Sequence, residues 1–503
     1  MIVLFFRYLV WVVVLSLFGE RAPLLELQPD QVSLNGNWLF RSDASQVGQQ
    51  EEWFLPTTDF SDWDTLHVPS FWESKDEFRS YDGWAWYALS FQSAGLDEAM
   101  SLLFEGIDDD AVVWLNGEQV GSHSGYNLPF DLELGEAVKY GDNLLVVLVK
   151  DHAGGGGIYK SVMLVPTRLV EELLKSKYAE VSARPSADWV RDGVIYELYL
   201  RSFSKEGTFE ALESRLGELV DLGVTVVWLM PIHPVGEERR KGTLGSPYSV
   251  QDFYAVNPEF GTIDDFRRLV EKVHELDMRI IIDLVANHTA WDSKLLQEHP
   301  EWFTRDAGGN IVIPYPDWTD VADLDYGSPR LRRYMIEMMK FWVRDVGIDG
   351  FRCDISELVP TDFWEDARAA LDSIKTVLLV SEGTLPEHHI EAFDLTYSWN
   401  IYKTLDSLLA GRVPATTIEK LLEVERQQFP KGSLRMRFTS NHDETAWDAP
   451  DVEKYGVNGA KLAAVLVNTI PGIPLLYNGQ EVGNRQKLPL FEALPIDWLS
   501  DKG

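Results

Sequence analysis

The sequence predicts two folded parts in one chain, an all-β sandwich followed by an α/β part that forms a (β/α)8 barrel. Three observations support this prediction. A length of 503 residues exceeds what one hydrophobic core usually serves. Residues 25–166 alternate apolar and polar side chains over short runs, which is typical of half-buried strands. After Val190, continuous apolar runs alternate with amphipathic segments, as parallel strands joined by helices require.

Composition excludes several classes of protein. Lys and Arg number 45 against 80 Asp and Glu, and the resulting formal charge of −35 would repel a phosphate backbone, so nucleic acid is not an expected partner. Cys353 is the only cysteine, which excludes an intrachain disulfide and a cysteine-clustered metal site. The 18 Trp, 18 Tyr and 24 Phe supply flat faces that suit sugar stacking, although core packing alone would also explain them.

The N-terminus carries an apolar run of 11 residues, Tyr8 to Phe18, which follows Arg7. This length matches the core of a signal peptide and is short for a membrane span. Residues 1–24 are therefore predicted to be a signal peptide, or an uncleaved membrane anchor because Ile2 to Phe6 is apolar as well. The expected location is secreted or periplasmic.

Five segments of residues 25–166 are predicted as strands or hairpins, and Asn116-Gly117 is the strongest turn signal among them. The segments are Leu34–Arg41, Trp86–Phe91, Ser101–Ile107, Ala111–His123 and Asn143–Asp151. We expect these short strands to form two sheets that pack face to face. Residues 167–189 change to a short helical period and then a linker, which places the second domain at 190–503.

This first part resembles the sugar-binding jelly-roll domain of family 2 glycoside hydrolases, a galactose-binding-like sandwich. The resemblance depends on the motifs LNGNW, VPSFW and VWLNGEQVGSHSGYNLPFDL. Trp72, Trp114 and Tyr126 are candidates for sugar binding. Packing inside the domain is the role we favour for all three.

Eight apolar runs after Val190 are predicted as parallel strands, which is the number that a (β/α)8 TIM barrel requires. The strands are Val194–Leu200, Val224–Met230, Arg279–Val285, Ile348–Asp354, Thr376–Glu382, Phe393–Trp399, Leu434–Ser440 and Ile473–Gly479. The clearest helices between them are Phe209–Gly223, Ile263–Asp277, Leu331–Gly347 and Asn458–Ile470. An open doubly wound sheet is less favoured, because Arg201-Ser202-Phe203 follows the first strand where a glycine-rich phosphate loop would stand.

The residues after the eighth strand are mostly of loop character. Only 24 residues follow Gly479. We therefore expect a barrel without most of its last helix, and a truncated reading frame.

Acidic and polar residues follow several of the predicted strands. The third strand continues into DLVANH, the fourth ends in GFRCD, the fifth in SEG and the seventh in SNHDE. In a barrel these ends surround one opening, where burying a carboxylate costs several kcal/mol unless the group is paired or takes part in chemistry. Any single acid of this kind is more often structural, but the set together predicts an active site.

Residues from Val190 to the end resemble glycoside hydrolase family 13, the α-amylase family. DLVANH, GFRCD, the Glu after TVLLVS and FTSNHD have the family's order and spacing, and SPYSVQDFYAVNPEFGT matches the segment after the second strand. The resemblance implies a glycosidase of starch-like glucans or maltooligosaccharides that cleaves mainly α-1,4 linkages.

The resemblance assigns three catalytic acids: Asp354 as nucleophile, Glu382 as general acid and base, and Asp443 as a stabiliser of positive charge on the sugar ring. Arg352 and Asp354 lie two residues apart on one strand and share a face, which predicts that the guanidinium holds Asp354 ionised. The apolar residues before Glu382 favour its protonated form. With these roles, the resemblance implies retention through a covalent glycosyl–Asp354 intermediate.

Substrate-binding roles also follow from the resemblance. They apply to Tyr248, His288, Arg352, His442 and Asp283. The tyrosine would be an aromatic platform below the sugar, the two histidines would bind its hydroxyl groups, and the aspartate would orient Arg352 or the hydrogen bonds around it. Asn287 matches a calcium ligand of some relatives, so Ca²⁺ is a candidate ion, although the chemistry requires no cofactor.

Two departures from the family's pattern limit the substrate prediction. Residues 355–358, Ile-Ser-Glu-Leu, replace the Lys-His pair with which many starch-cleaving amylases bind the leaving-side sugar, and ADLDY replaces the usual Pro-Asp-Leu-Asn run. An α-glucan transglycosylase, or an α-1,6-acting or cyclodextrin-cleaving relative, would use the same acids and stays the alternative. A non-catalytic glucan-binding protein is the alternative of another class, and the intact acids argue against it.

Overall fold

The computed structural model describes residues 32–79, 81–93, 98–108, 110–124, 129–151, 155–315 and 317–498. The predicted signal peptide or anchor at residues 1–24 and Tyr126 lie outside the described residues. The chain divides into two compact units, residues up to 177 with 410–428, and residues 178–409 with 429 onwards. The first division falls inside the predicted linker, and the domain boundaries themselves stay predictions. No helix in the described ranges combines the length and apolar composition of a membrane span.

The first unit contains two antiparallel sheets that enclose one core. The larger sheet has the strand order Asp64–Val68, Gly36–Ser42, Trp84–Ser93, Gly141–Lys150, Asp110–Leu115 and Glu118–Ser124. The smaller sheet has the order Val32–Ser33, Val162–Pro166, Met100–Phe104 and Phe130–Glu133. Apolar side chains of both sheets, among them Phe40, Val147 and Leu102, are fully buried in that core. The β-sandwich predicted from the two-residue period is confirmed. The helices Val170–Leu174 and Thr416–Gln428 complete this unit.

The hairpin at one edge of the larger sheet closes on Asn116 and Gly117, as the sequence predicts. Their φ angles are +55° and +88°, the left-handed conformation that a tight two-residue turn requires and that Asn and Gly adopt at least cost. Leu115 and Glu118 pair across the turn.

Two tryptophans that are candidates for sugar binding are packing residues. The indole N–H of Trp72 donates to the carbonyl of Tyr81 at 2.9 Å, and its side chain is fully buried. Trp114 stacks on Trp86 with ring centroids 5.4 Å apart, and only 4% of Trp114 is exposed. Neither ring offers a face to a ligand.

The second unit contains a closed barrel of eight parallel strands, which confirms the predicted (β/α)8 architecture. In order around the barrel, the strands are Ile195–Leu198, Val226–Leu229, Arg279–Leu284, Gly350–Cys353, Leu378–Ser381, Leu395–Tyr397, Leu434–Arg437 and Ile473–Tyr477. The first strand pairs with the last, Ile195 opposite Leu475, which closes the ring. Each predicted run contains one of these strands, because strands buried on both faces form continuous apolar runs.

Helices connect these strands on the outside of the barrel. The longer ones are Phe209–Glu213, Leu216–Leu222, Ile263–Glu275, Lys294–Glu298, Pro329–Phe341, Thr361–Asp372, Trp399–Leu409 and Asp451–Thr469. Thr262 and Asp265 form a capping box at the start of the third of these. The strands His288–Ala290 and Val321–Asp323 form a small antiparallel sheet. After the eighth barrel strand, the described residues contain only the 3₁₀ turn Gln480–Val482.

A glycine begins the fourth barrel strand for a steric reason. Gly350 has φ of +146°, and a Cβ atom there would lie 1.9 Å from the carbonyl oxygen of Leu378 in the fifth strand. No side chain therefore fits between the fourth and fifth strands at this position. The glycine therefore lets the two strands pair in register up to Cys353 opposite Ser381. The residues that follow this last pair are Asp354 and Glu382.

Candidate active site

The predicted acids lie at the carboxyl ends of neighbouring barrel strands, an end that we call the mouth. Asp354 follows the fourth strand and Glu382 the fifth. Asp283 lies on the third strand, opposite Arg352 in register. Asp443 lies in the loop after the seventh strand. Parallel pairing brings all of these ends to the same rim.

Arg352 is the centre of the site and contacts three carboxylates. Its buried guanidinium donates from Nη1 to Asp354 Oδ1 at 2.8 Å and to Asp283 Oδ1 at 2.9 Å. Its Nη2 lies 2.7 Å from Glu382 Oε2, an ion pair whose angles do not make it a hydrogen bond. The Nε atom donates to the hydroxyl of Tyr397 at 3.2 Å. One cation therefore holds two of the three predicted catalytic acids.

The carboxylates of this cluster divide the charge of Arg352 among them. Burial raises the pKa of Asp354 well above its usual value; Arg352 opposes the shift, and Glu382 and Asp283 add to it. Burial also raises the pKa of Asp283 to about 6. The charge of Arg352 is thus shared by three carboxylates, and the ionised state of Asp354 in the reaction stays a prediction.

Glu382 has charged rather than apolar surroundings, contrary to the expectation from the residues before it. Besides the contact with Arg352, its Oε2 accepts the backbone N–H of Ile355 at 2.7 Å. Ile355 has φ of +34°, a conformation that β-branched residues rarely adopt and that is typical of functional sites. The hydroxyl of Ser356 donates to the Glu382 carbonyl at 3.2 Å and lies 2.7 Å from the Ser381 hydroxyl, which fixes the end of the fifth strand.

His442 is held by two carboxylates and a tyrosine. Its Nδ1 lies 2.5 Å from Glu197 Oε1, and its Nε2 lies 2.6 Å from the Tyr248 hydroxyl and 3.3 Å from Asp443 Oδ2. The Tyr248 ring stacks on the imidazole with centroids 5.5 Å apart. Burial lowers the pKa of His442, but Asp443 and Glu197 outweigh this effect and raise the pKa to about 9. His442 is therefore a cation at neutral pH.

A continuous chain of contacts connects the three predicted acids. The Tyr248 hydroxyl donates to Asp283 Oδ2 at 3.2 Å, and this bond joins the two halves of the site. The chain runs through Asp443, His442, Tyr248, Asp283, Arg352, Asp354 and Glu382. The Asp443 side chain is 40% exposed, against 9% for Asp354 and 15% for Glu382, so Asp443 forms the rim and the other two lie deeper.

His288 differs from His442 in its charge state. It begins the short strand His288–Ala290 and faces the ring of Trp318, with centroids 5.4 Å apart. Burial lowers the pKa of His288 to about 3, and a hydrogen bond with the backbone of Tyr248 only partly opposes this shift. His288 is therefore neutral at neutral pH. Its Nδ1 has no hydrogen-bond partner among the described residues.

Asn287, the one predicted metal ligand, is paired with another side chain. Its Nδ2 donates to Asp323 Oδ1 at 3.2 Å. Calcium requires about six to eight oxygen ligands. Within the described ranges, no group of three or more His, Cys, Asp or Glu side chains is placed to hold a metal. The pair of Asn287 and Asp323 does not by itself fit calcium, so the ion stays a prediction and no step below depends on it.

Sequence reasoning missed three residues of the site: Glu197, Trp228 and Tyr397. Glu197 and Trp228 stand opposite each other on the first two barrel strands. The guanidinium of Arg352 lies 5.4 Å from the Trp228 ring and 5.9 Å from the Tyr397 ring. All three lie inside runs that were interpreted as uniformly apolar core. The available signal was the acid in IYELYL, because a carboxylate inside a buried strand requires a partner.

Family models match the chain over both of its parts. Residues 186–490 match the model for the alpha amylase catalytic domain, and residues 32–167 match the model for the sugar binding domain of glycosyl hydrolases family 2. The first match covers more than half of the chain. The chain therefore belongs to the α-amylase family of glycoside hydrolases.

Individual relatives match the chain over a similar extent. Alpha-amylase MalA of Haloarcula japonica is 29% identical over 324 residues, which are 61% of this chain and 47% of that protein. The crystal structure of a maltogenic alpha-amylase, AmyB from Thermotoga neapolitana, is 38% identical, with a TM-score of 0.58 over 62% of this chain and 74% of that one. An alpha-amylase structure from Lactobacillus plantarum is 36% identical, with a TM-score of 0.56 over 60% and 75%. The chain thus spans about half the length of the first of these relatives.

Proposed function

We propose that the protein is a retaining glycoside hydrolase that cleaves α-glucosidic bonds, mainly α-1,4, in starch-like glucans or maltooligosaccharides. The observation that carries the proposal is the position of Asp354 and Glu382 on the two Nη atoms of Arg352. Carboxyl groups that share one guanidinium are close together, which favours the separation of about 5–5.5 Å in retaining enzymes over the ~6.5–9.5 Å in inverting ones. Membership in the α-amylase family supports the substrate class.

In the first step, a carboxylate oxygen of Asp354 attacks the anomeric carbon while Glu382 protonates the departing glycosidic oxygen. The bond from the anomeric carbon to that oxygen breaks, an ester bond to Asp354 forms, and the released chain leaves as a neutral alcohol. This step requires Asp354 as the carboxylate and Glu382 as the acid when the substrate is bound. Arg352 contacts both side chains and so positions attack and protonation together.

In the second step, water attacks the same carbon from the face that the leaving group has vacated. Glu382, now a carboxylate, accepts a proton from that water. The ester bond breaks, and its electron pair returns to Asp354. Two inversions at one carbon give net retention.

The charge balance of the site favours a positively charged transition state. Its carboxylates are Asp283, Asp354, Glu382, Asp443 and Glu197, and its cations are Arg352 and His442. A sugar that becomes oxocarbenium-like brings positive charge into this acidic site as the glycosidic bond breaks. Stabilisation therefore increases from the bound substrate to the transition state, which is the condition for catalysis.

The segment after Asp354 makes an α-1,6-acting, cyclodextrin-cleaving or transglycosylating enzyme the second candidate. Glu357 occupies this segment, where many starch-cleaving members carry Lys-His, and it accepts the backbone N–H of Thr384. A Cβ atom on Gly383 would lie 2.6 Å from Cγ of Glu357, so the acid packs against the turn that follows Glu382. Product profiles from starch, pullulan and cyclodextrin, each with and without an acceptor sugar, distinguish these specificities.

Trapping of the covalent intermediate tests the proposal. A fluorinated α-glucosyl fluoride slows the second step more than the first, so an ester should accumulate on the peptide that contains Asp354 and be detected by mass spectrometry. D354N should form no adduct and lose about 10³-fold or more in kcat. E382Q should recover turnover with α-glucosyl fluoride, whose leaving group needs no proton.

The matched control is D349N, an acid at the opposite end of the same strand, which should still form the adduct. Near wild-type turnover of starch by D354N, or an adduct on a different residue, would refute the proposal.

We also propose that residues 1–24 direct export, as an extracellular polysaccharide substrate would require. N-terminal sequencing of the protein from the medium, periplasm and membrane fractions of cells that express the full chain tests this. Cleavage near residue 24, or an intact N-terminus in the membrane fraction, supports export. Intact protein found wholly in the cytoplasm would contradict it.

A further inference from the structure

We propose that Glu197 is a positioning residue for the reaction, which keeps His442 as a fixed imidazolium whose Nε2–H is held at the Tyr248 hydroxyl beside Asp443. This inference rests on the proposed function. It goes beyond that function because it gives a role to a strand residue that none of the recognised sequence motifs contains.

Glu197 reaches His442 from inside the first barrel strand, Ile195–Leu198. Both side chains are almost completely buried, with 0% and 1% exposure, and the distance from Oε1 to Nδ1 is 2.5 Å. The backbone of Glu197 pairs with Trp228 on one side and Tyr477 on the other. The barrel itself therefore determines where this carboxylate lies, with no contribution from a mobile loop.

A carboxylate on Nδ1 determines what Nε2 can do. When Nδ1–H donates to Glu197, the ring is either a neutral tautomer with an acceptor Nε2 or an imidazolium with a second donor. Nε2 lies 3.3 Å from Asp443 Oδ2, an oxygen that can only accept when it is ionised. Both neighbours of the ring therefore favour the imidazolium, whose pKa is raised to about 9. The Tyr248 hydroxyl, which donates to Asp283, is 2.6 Å from Nε2 and accepts its hydrogen, so an imidazolium here orients Tyr248 as well as Asp443 at the mouth.

The groups that face His442 come from several elements of the barrel. Glu197 faces it from the first strand, the edge of Trp228 from the second strand with centroids 6.1 Å apart, and Tyr248 from the loop after that strand. Asp443 follows it in its own loop, and the more distant Arg352 on the fourth strand lowers its pKa. The two acids thus raise the pKa of His442 by more than burial and Arg352 lower it.

Glu197 has one hydrogen-bond partner for its side chain. Its Oε2 makes no hydrogen bond within the described residues, although the side chain is fully buried. Burial raises the pKa of Glu197, and His442 is the first group that opposes this shift. Replacing a buried pair of this kind by apolar residues is often neutral or stabilising, so stability alone is a weak reason for its presence.

Nitrogen NMR on protein labelled in its histidine rings tests the charge state without using activity. At about pH 8, well above the usual histidine pKa, we expect a doubly protonated ring whose resonance disappears in H442N. In E197Q, which keeps the shape of the side chain and removes its charge, the same ring should lose its proton at least about one pH unit lower.

The pH profile of kcat/KM gives a second readout. If the reaction uses the imidazolium, the alkaline limb of E197Q should move down by about one unit, so that activity falls about twofold at about pH 8 and about fivefold at about pH 9. E197D keeps the charge but is one methylene shorter. It therefore distinguishes the effect of the carboxylate charge from the effect of its distance to His442. It should retain more of the alkaline limb than E197Q does.

D349N is the matched control. Asp349 also pairs with a histidine, His274, at 2.7 Å, but it lies before the fourth strand, at the end of the barrel opposite the site. D349N should change neither the titration of His442 nor the alkaline limb.

An unchanged titration of His442 in E197Q, or an equal change in D349N, would overturn the inference. If E197Q fails to fold, the wild-type spectrum decides the question, since a neutral His442 at about pH 8 refutes the inference. A protein with a protonated His442 that cleaves no glucan would contradict the proposed function and leave the pairing supported.

Discussion

The two ends of the barrel bury the same kinds of charged side chain but balance them differently. At the amino ends of the strands, which we call the base, Asp349 lies 2.7 Å from His274 and 3.0 Å from Lys375. Asp394, also at the base, is paired with two arginines, Arg184 and Arg368. Each buried acid at the base therefore has two basic partners.

The mouth has the opposite balance, because Arg352 alone serves three carboxylates. Burial raises the pKa of Asp349 as well, but hydrogen bonds from His274 and Ile280 and the charge of Lys375 outweigh it, so its pKa is lowered. Burial is thus common to both ends, and for Asp349 the hydrogen bonds and the charge of Lys375 decide the direction of the shift. The unbalanced end is the one at which we propose the chemistry.

Removing the central arginine at each end should have the largest effect. R352M leaves the acids of the mouth without their shared cation, and we expect kcat/KM to fall about 10³-fold or more. R368M removes one of two arginines from Asp394 and should lower the free energy of unfolding by about 3–5 kcal/mol. Its kcat/KM for each folded molecule should not change.

Starch hydrolysis, corrected for the folded fraction, and urea unfolding curves measure both effects. Loss of activity in a fully folded R368M protein would show that the base is not purely structural and would break the comparison.

Removing one acid should change stability in opposite directions at the two ends. D354N relieves repulsion among the carboxylates of the mouth, so we expect the free energy of unfolding to rise by about 1 kcal/mol while activity is lost. D349N removes a charge that His274 and Lys375 stabilise, so it should lower the free energy of unfolding by about 1–3 kcal/mol. Urea unfolding at neutral pH measures both changes. A D354N protein less stable than the wild type would contradict the proposed charge imbalance.

Acid should change the stability of these two variants in different ways. A carboxyl group with a raised folded pKa binds its proton more tightly when folded, so the repulsion at the mouth disappears as the pH falls through about 6, the value for Asp283. The gain of D354N in unfolding free energy over the wild type should therefore shrink between neutral pH and about pH 4. The folded pKa of Asp349 is lowered from the usual 3.8, so its contribution is present above that value and is lost only as the pH falls through the folded pKa.

The loss of D349N in unfolding free energy relative to the wild type should accordingly persist to about pH 4. Unfolding curves collected across this range measure both trends. Parallel behaviour of the two variants would show that the ends do not differ.

The smallest effect is expected for Lys375, a partly exposed member of the base. The side chain of Lys375 is 32% exposed, and Asp349 keeps its contacts with His274 and Ile280 when the lysine is removed. K375M should therefore cost less than about 1 kcal/mol in unfolding free energy and leave kcat/KM unchanged. A larger loss in urea unfolding would mean that Asp349 depends on Lys375 as well as on His274.

The sequence predicts the barrel well because its strands are buried on both faces. Runs such as RIIIDLV are too apolar and too short for surface helices, and the eight of them fix the topology. The acids Asp354 and Glu382 were found for a related reason, since each stands directly after such a run. The β-sandwich followed from alternation and from Asn116-Gly117.

Other features depend on relations between strands that a single sequence does not contain. Whether Arg352 serves one acid or three is determined by the register of the third, fourth and fifth strands. Glu197 was missed because its partner, His442, is 245 residues away in the chain and meets it only when the barrel closes. The protonation of the site could not be predicted either, because it depends on how many cations face each acid in space.

Gly350 has a practical consequence for enzyme engineering. The hydrogen atom that this residue carries in place of a methyl group allows the fourth and fifth strands to approach, since a Cβ atom would meet the Leu378 carbonyl oxygen at 1.9 Å. Alanine at this position would push those strands apart. The displacement would extend along both strands to Asp354 and Glu382, which follow them. Directed-evolution libraries that seek new linkage preference should hold position 350 constant and diversify the rim, where backbone shifts leave the spacing of that pair intact.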